Sequence, residues 1–274
     1  MIRLDERYQT SAGRVAAARM GSGPPLVLAH GWPWSSQAWH RVAGRFAETY
    51  RVHVYDMPGF GASDKAGPRP NGLDTQGDVF GEMLELWGFG ADSPRPAVVA
   101  HDFGGAVSLR AHVLGGWEFE RLVLMNVVAL SPWGSAFFDH VGQHVAAFEG
   151  LPPHIHAAVV EAYIRGALVS PLPEEDVAML VAPWCDAEGQ RAFYAQFALA
   201  DDAFTDAIAP HLSTIRCPVR VLWGEHDPWI PVERGEALAE QIGAPLRRLG
   251  GLGHLPQLED PDRVASALMT ALGD

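Results

Sequence analysis

Asp102, Asp227 and His254 are residue types that together can make and use a nucleophile, and each falls just after a short apolar run. Asp102 lies in "AVVAHDFGGAVSLRAH", where a β-rich run gives way to a helix-like one, with Ala100 and Gly104 flanking it at a distance of two residues. A sharp strand-to-helix turn needs small flanks because backbone passes close to backbone, and it pushes the central side chain into the space above the sheet. The same residue heads a helix, whose free N–H groups favour an anion. Asp227 in "VLWGEHDPWIP" follows a later strand-like run, and His254 in "GLGHLPQLED" follows the next, in a Gly-rich loop that can present an imidazole. Taken singly, each has a plainer explanation: a helix cap, a turn carboxylate before Pro228, a surface histidine. Together they supply a nucleophile, an orienting acid and a base.

An aspartate at such a turn selects the bond that can be broken. Serine suits acyl transfer, since attack on a carbonyl yields a hydrolysable ester. Aspartate attacking the same carbonyl would form a mixed anhydride. On a saturated carbon it forms an alkyl ester instead, which water can split at the aspartate's own carbonyl. His254 would deprotonate that water, held in place by Asp227. In "LAHGWPWSSQAW" the His-Gly pair lets the chain turn back over the site, so the N–H of Trp32 can join that of Phe103 as an oxyanion hole. Ser35 or Ser36 would cap the helix that follows. None of these steps needs a metal or an organic cofactor.

The elements that must position these residues alternate along the chain. "PPLVLAH", "YRVHVYD", "AVVAH", "ERLVLMN", "PVRVLWG" and "APLRRLG" read as strands, preceded by a hairpin of "MIRLDERYQT" and "GRVAAARM". "SSQAWHRVAGRFAE", "TQGDVFGEMLELWG" and "GGAVSLRAHVLGG" read as helices between them, which predicts a largely parallel sheet covered on both faces. The alternation fails between residues 129 and 211, where Pro, Trp and Phe interleave with helical pieces such as "HIHAAVVEAYIRGAL". That stretch is expected to be a helical cap, with core parts at 1–128 and 212–274. It would roof a pocket at the carboxyl ends of the strands. Aromatic residues of the cap, among them Trp133, Phe138, Trp184 and Phe197, are candidates for its lining.

Composition narrows the partners. The 274 residues carry a formal charge of −13, from 33 acidic against 20 basic side chains. That balance disfavours nucleic acid and anionic membrane and leaves a small molecule as the expected substrate, with the protein a monomer or homodimer. With Cys185 and Cys217 as the chain's only cysteines, a disulfide framework is not expected. No apolar run approaches the roughly 18 residues of a spanning helix, and the N-terminus has no signal-like core, so the expectation is a cytoplasmic protein.

The segments "HGWP", "DMPGFGASD", "AHDFGGAVSLRAH", "LWGEHDPWIP" and "GLGHLPQLEDP" resemble those of the α/β-hydrolase superfamily, specifically its aspartate-nucleophile branch of epoxide hydrolases and haloalkane dehalogenases. The resemblance implies an α/β-hydrolase fold with a mostly parallel eight-stranded sheet. It also implies Asp102 as nucleophile, Asp227 as acid, His254 as base, main-chain donors at Trp32 and Phe103, and a cis Trp32–Pro33 bond. The order of the three in the chain matches the nucleophile-acid-histidine order of that fold.

The leaving group separates the two activities. Halide needs only N–H donors, and the residue beside the nucleophile is Phe103, which lacks an indole, although Trp32 has one. An epoxide oxygen leaves as a strong base and needs an acid such as a tyrosine hydroxyl. Two of the five tyrosines, Tyr163 and Tyr194, fall in the cap, and Tyr194 is placed much as the cap tyrosines of epoxide hydrolases are. The expected activity is therefore hydrolysis of a small apolar epoxide, with Tyr194 as main donor and Tyr163 as partner. The alternatives are a haloalkane dehalogenase and, ranked lower, a ligand receptor or slow hydrolase on the same fold. A haloacetate dehalogenase is the weaker match, because Phe103 and Val107 stand where that group has arginines.

Overall fold

The computed structural model describes residues 1–273. Its centre is a sheet of eight strands: β1 (Glu6–Thr10), β2 (Gly13–Met20), β3 (Pro25–Ala29), β4 (Arg51–Tyr55), β5 (Ala97–Asp102), β6 (Arg121–Val127), β7 (Val219–Gly224) and β8 (Leu246–Leu249). Their order is β1-β2-β4-β3-β5-β6-β7-β8. β2 pairs antiparallel with both β1 and β4, and every other pairing is parallel. This is the α/β-hydrolase architecture expected from the sequence.

The central strands are largely apolar because both faces are covered, and their side chains sort by the period of two. Val27, Val98 and Leu124 join the core on one face, while Leu28, Val99 and Met125 join the core on the other. Edge strand β8 carries Arg247 and Arg248 outward, which discourages pairing with another chain.

Two helices fix the middle of the sheet. α1 (Leu73–Leu86) packs beside α2 (Phe103–Val113), which starts directly after β5. "TQGDVFGEMLELWG" and "GGAVSLRAHVLGG" thus form helices as expected. "SSQAWHRVAGRFAE" does not form the single helix its apolar spacing suggests. It folds as a 3₁₀ turn, Ser36–Trp39, and one helical turn, Ala43–Phe46. Ser35 caps the first turn, and the Ser36 N–H donates to Asp56 Oδ1 at 2.8 Å. Tertiary anchoring of that N–H, with Trp39 and Phe46 fully buried, outweighs the helical pattern.

Between β6 and β7 the chain has no strand among the described residues. It runs through α3 (Ala136–Gln143), α4 (Pro153–Arg165), α5 (Glu174–Val181) and α6 (Ala187–Ala198), joined by shorter helical turns. α7 (Val232–Ile242) follows β7, and α8 (Pro261–Gly273) ends the described chain. Among the described residues no helix is long and apolar enough to cross a membrane.

The chain passes from β3 outward to β4 and returns across the sheet to β5. Connections therefore leave β3 and β5 in opposite directions and open a crevice at their carboxyl ends, where ligands of open α/β sheets bind. Trp32 follows β3 and Asp102 ends β5, so both stand at that crevice.

Candidate active site

Asp102 occupies the strand-to-helix turn with φ 52° and ψ −121°, a backbone region unfavourable for any residue with a Cβ. Two glycines make that turn possible. A Cβ on Gly104 would stand 2.6 Å from the Ala29 carbonyl oxygen, and one on Gly31 would stand 2.3 Å from Asp102 Oδ1. With those spaces open, the Trp32 backbone N–H donates to Asp102 Oδ1 at 2.6 Å. Phe103 is the first residue of α2, where N–H groups have no partner within the helix. The Trp32–Pro33 bond is cis, as the resemblance implied.

The other carboxylate oxygen, Asp102 Oδ2, lies 3.4 Å from His254 Nε2. His254 Nδ1 donates to Asp227 Oδ2 at 2.8 Å, so Asp102, His254 and Asp227 converge in space. The backbone of His254 is held from two sides. Its N–H donates to the Ala167 carbonyl, and its own carbonyl accepts from His101 Nε2 at 2.7 Å. Burial keeps the His101 ring well below the usual histidine range, at about 4, so it serves as a neutral donor.

Burial would also lower the His254 pKa. The charge of Asp227, its hydrogen bond to the imidazole and the nearby carboxylate of Asp102 overcome that and raise it to about 10. Asp227 is desolvated too, yet His254, the Ile230 N–H and Asn126 hold it below the ordinary carboxylate value. Because His254 stands near 10 when folded against an ordinary 6.5, the folded chain keeps a proton that the unfolded chain releases between those values. The resulting stabilisation is complete below about 6.5 and is lost as pH rises through about 10. The melting-temperature advantage of wild type over His254→Gln should accordingly shrink between those two pH values. A constant difference across the window would contradict this assignment.

Asn126, at the end of β6, was not singled out from the sequence. It has φ 48°, is fully buried, donates from Nδ2 to Asp227 Oδ2 at 2.7 Å and accepts from the Gly224 N–H at 3.0 Å. Asp227 Oδ1 is meanwhile fixed by the Trp229 and Ile230 N–H groups at 2.8 and 2.9 Å. The available signal was a lone amide closing the apolar strand "ERLVLMN", next to the strand that leads to Asp227. Asn126→Ala should destabilise the protein by about 1.5–3 kcal/mol, the worth of a buried hydrogen bond to a charged group. Chemical denaturation measures it, and a change within error would remove Asn126 from this network.

The tyrosines differ from expectation. Tyr194 is fully buried and is not among the residues lining the cavity above Asp102. His156 Nε2 donates to the Trp184 carbonyl at 2.8 Å, which leaves His156 Nδ1 as the acceptor of the Tyr194 hydroxyl at 2.9 Å. The Tyr194 proton is committed inside the cap, which displaces Tyr194 from the role of main donor. Tyr163, on α4, does line the cavity together with Asp102 and Trp32. Among the described residues its hydroxyl makes no full hydrogen bond. The Trp32 indole N–H approaches it without reaching bonding geometry and has no other partner. Burial pushes the Tyr163 pKa up, which keeps the phenol protonated.

The cavity has a volume of about 200 Å³, enough for a small substrate. Of the cap aromatics, Trp133 and Phe138 line it. Trp184 and Phe197 instead pack on the Trp32 ring, with centroids 5.4 and 5.2 Å away. The Trp184 indole also donates to the Pro33 carbonyl at 2.9 Å and so ties the cap to the loop that carries Trp32.

The fold and this buried Asp/His cluster agree with the chain's similarities. An alpha/beta hydrolase fold protein from Burkholderia ambifaria is 42% identical, with 98% of each chain covered and a TM-score of 0.94. A pimeloyl-[acyl-carrier protein] methyl ester esterase of Vibrio vulnificus is 26% identical over 92% of this chain and 96% of its own length. The epoxide hydrolase CorEH is 21% identical with a TM-score of 0.75 over 98% of both chains, a likeness of fold alone. The profile of the alpha/beta hydrolase family matches residues 26–267, and the chain is a hydrolase belonging to that family.

Proposed function

We propose that this hydrolase opens epoxides by attack of Asp102 on a saturated carbon. The observation that carries the reading is the cavity shared by Asp102 and the unengaged Tyr163 hydroxyl. Asp102 Oδ2 attacks the epoxide carbon, the carbon–oxygen bond breaks, and Tyr163 gives its proton to the departing alkoxide. The product is an alkyl ester on Asp102. Oδ1 stays with the Trp32 N–H, where charge develops in the second step.

Ester formation also changes His254. Two carboxylates hold its pKa near 10 in the resting protein, and esterification removes the charge of Asp102. The imidazolium then gives up its proton more readily, returning it to the Tyr163 phenolate, and becomes a base when one is needed. It takes a proton from water, the hydroxide adds to the Asp102 carbonyl, and collapse breaks the bond from that carbonyl carbon to the ester oxygen. The expelled alkoxide takes the proton of the added hydroxyl and leaves as a diol. His254 keeps the proton from water, so Asp102, Tyr163 and His254 return to their starting states and the cycle consumes one epoxide and one water.

The unpartnered Trp32 indole N–H supports a second reading, a haloalkane dehalogenase in which that group receives halide. The name of the Vibrio esterase does not carry over, because an ester carbonyl attacked by Asp102 would leave a mixed anhydride. A pH-indicator assay with matched epoxides and 1-bromoalkanes separates the readings. Epoxide consumption without acid release is expected, whereas acid and bromide release from the bromoalkanes alone would favour the dehalogenase.

A further inference from the structure

Asp102 and Arg234 are the charged side chains in the wall of the cavity, which is otherwise built mainly from apolar residues. Arg234 stands in the first turn of α7 and is half-buried. Its Nη2 donates to the carbonyl oxygens of Leu130, at 2.9 Å, and of Pro132. Both carbonyls belong to the connection leaving β6, which supplies another part of the cavity wall. Among the described residues no carboxylate pairs with Arg234, and its Nε–H and Nη1 protons have no acceptor.

A guanidinium held by two carbonyls has a fixed orientation, and its charge is left uncompensated in a chain whose formal charge is −13. A half-buried cation on the wall of a mainly apolar cavity attracts a negative group, and a neutral substrate supplies none. An anionic substrate supplies one. It would otherwise be repelled by Asp102, and one guanidinium with Nη2 already engaged offsets one negative charge rather than two. That balance favours a carboxylate over a phosphate dianion.

We propose that Arg234 forms a carboxylate subsite in this cavity and that the substrate is a small epoxide bearing a carboxylate. The epoxide half rests on the function proposed above; the subsite does not. The probes are straight-chain carboxylates from propanoate to hexanoate and their amides, titrated into wild type, Arg234→Lys and Arg234→Met. Tryptophan fluorescence reports binding, since Trp32, Trp133 and Trp229 line the cavity. The best carboxylate should bind wild type on the order of tenfold more tightly than its amide, the scale of one charge-assisted hydrogen bond at a partly wet site. That preference should weaken in Arg234→Lys and vanish in Arg234→Met. Equal affinity of acid and amide for wild type overturns the subsite even if the methionine variant fails to fold, and so does a preference that survives in Arg234→Met. In turnover, 3,4-epoxybutanoate should exceed 3,4-epoxybutanamide in kcat/KM through a lower KM. If neither epoxide reacts while the carboxylate preference depends on Arg234, the subsite stands and the epoxide reading falls. Equal turnover of the two would overturn the subsite instead.

Discussion

His254→Gln incubated with an epoxide should gain the mass of that epoxide and keep it. Alkylation needs Asp102 and an acid for the departing oxygen, and neither is removed by this change. Hydrolysis of the ester needs a base, and glutamine cannot accept the proton of water. Loss of a positioned general base slows such a step by about 10²–10⁴, enough for the ester to accumulate. Asp102→Asn should show no adduct at all, because a neutral amide oxygen is a poor nucleophile. Intact-protein mass spectrometry reads both outcomes. An adduct on Asp102→Asn, or none on His254→Gln with a substrate that wild type consumes, contradicts the assignment of the two residues.

Tyr163→Phe should slow ester formation from an epoxide by about 10²–10⁴, the usual range for loss of a general acid. With a 1-bromoalkane the same variant should alkylate at nearly the wild-type rate, since bromide leaves without a proton. Tyr194→Phe should behave in the opposite way. It strips His156 Nδ1 of its donor inside the cap, a cost of about 1–3 kcal/mol in stability, with little effect on the rate of ester formation. Single-turnover alkylation of both variants makes the comparison. If Tyr163→Phe forms the ester from epoxide as fast as wild type, the proton comes from elsewhere. If Trp32→Phe alone slows bromoalkane alkylation and epoxides never react, the halide reading replaces the epoxide one.

The two tyrosines show where the sequence is legible and where it stops. The elbow around Asp102 is a local feature: small flanks, a strand before and a helix after are all written within a few residues, and the structure places Asp102 there with φ 52°. The strands were legible for a similar reason, as apolar runs bounded by turn residues. Which cap phenol faces the cavity is decided by packing between helices distant in sequence. Tyr194 sits nearer the expected chain position, yet His156, on another helix, claims its hydroxyl. Asn126 was hidden in the same way, because its role exists only once β6 and β7 lie side by side and bring Asp227 to its amide. The stretch after Ser35 failed in the other direction. Its helical spacing is real, but the anchoring of Ser36 to Asp56 belongs to the next strand connection and is invisible locally.

A covalent ester on Asp102 is most directly tested by a single turnover in water enriched in heavy oxygen, with the enzyme in excess over epoxide. Hydroxide adding to the Asp102 carbonyl leaves its oxygen in the carboxylate, while the released diol carries away an original aspartate oxygen. The peptide containing Asp102 should therefore gain the mass of one heavy oxygen, and the first diol released should carry no label. A labelled diol with an unlabelled Asp102 peptide would mean that water attacks the substrate directly and that Asp102 never bonds to it.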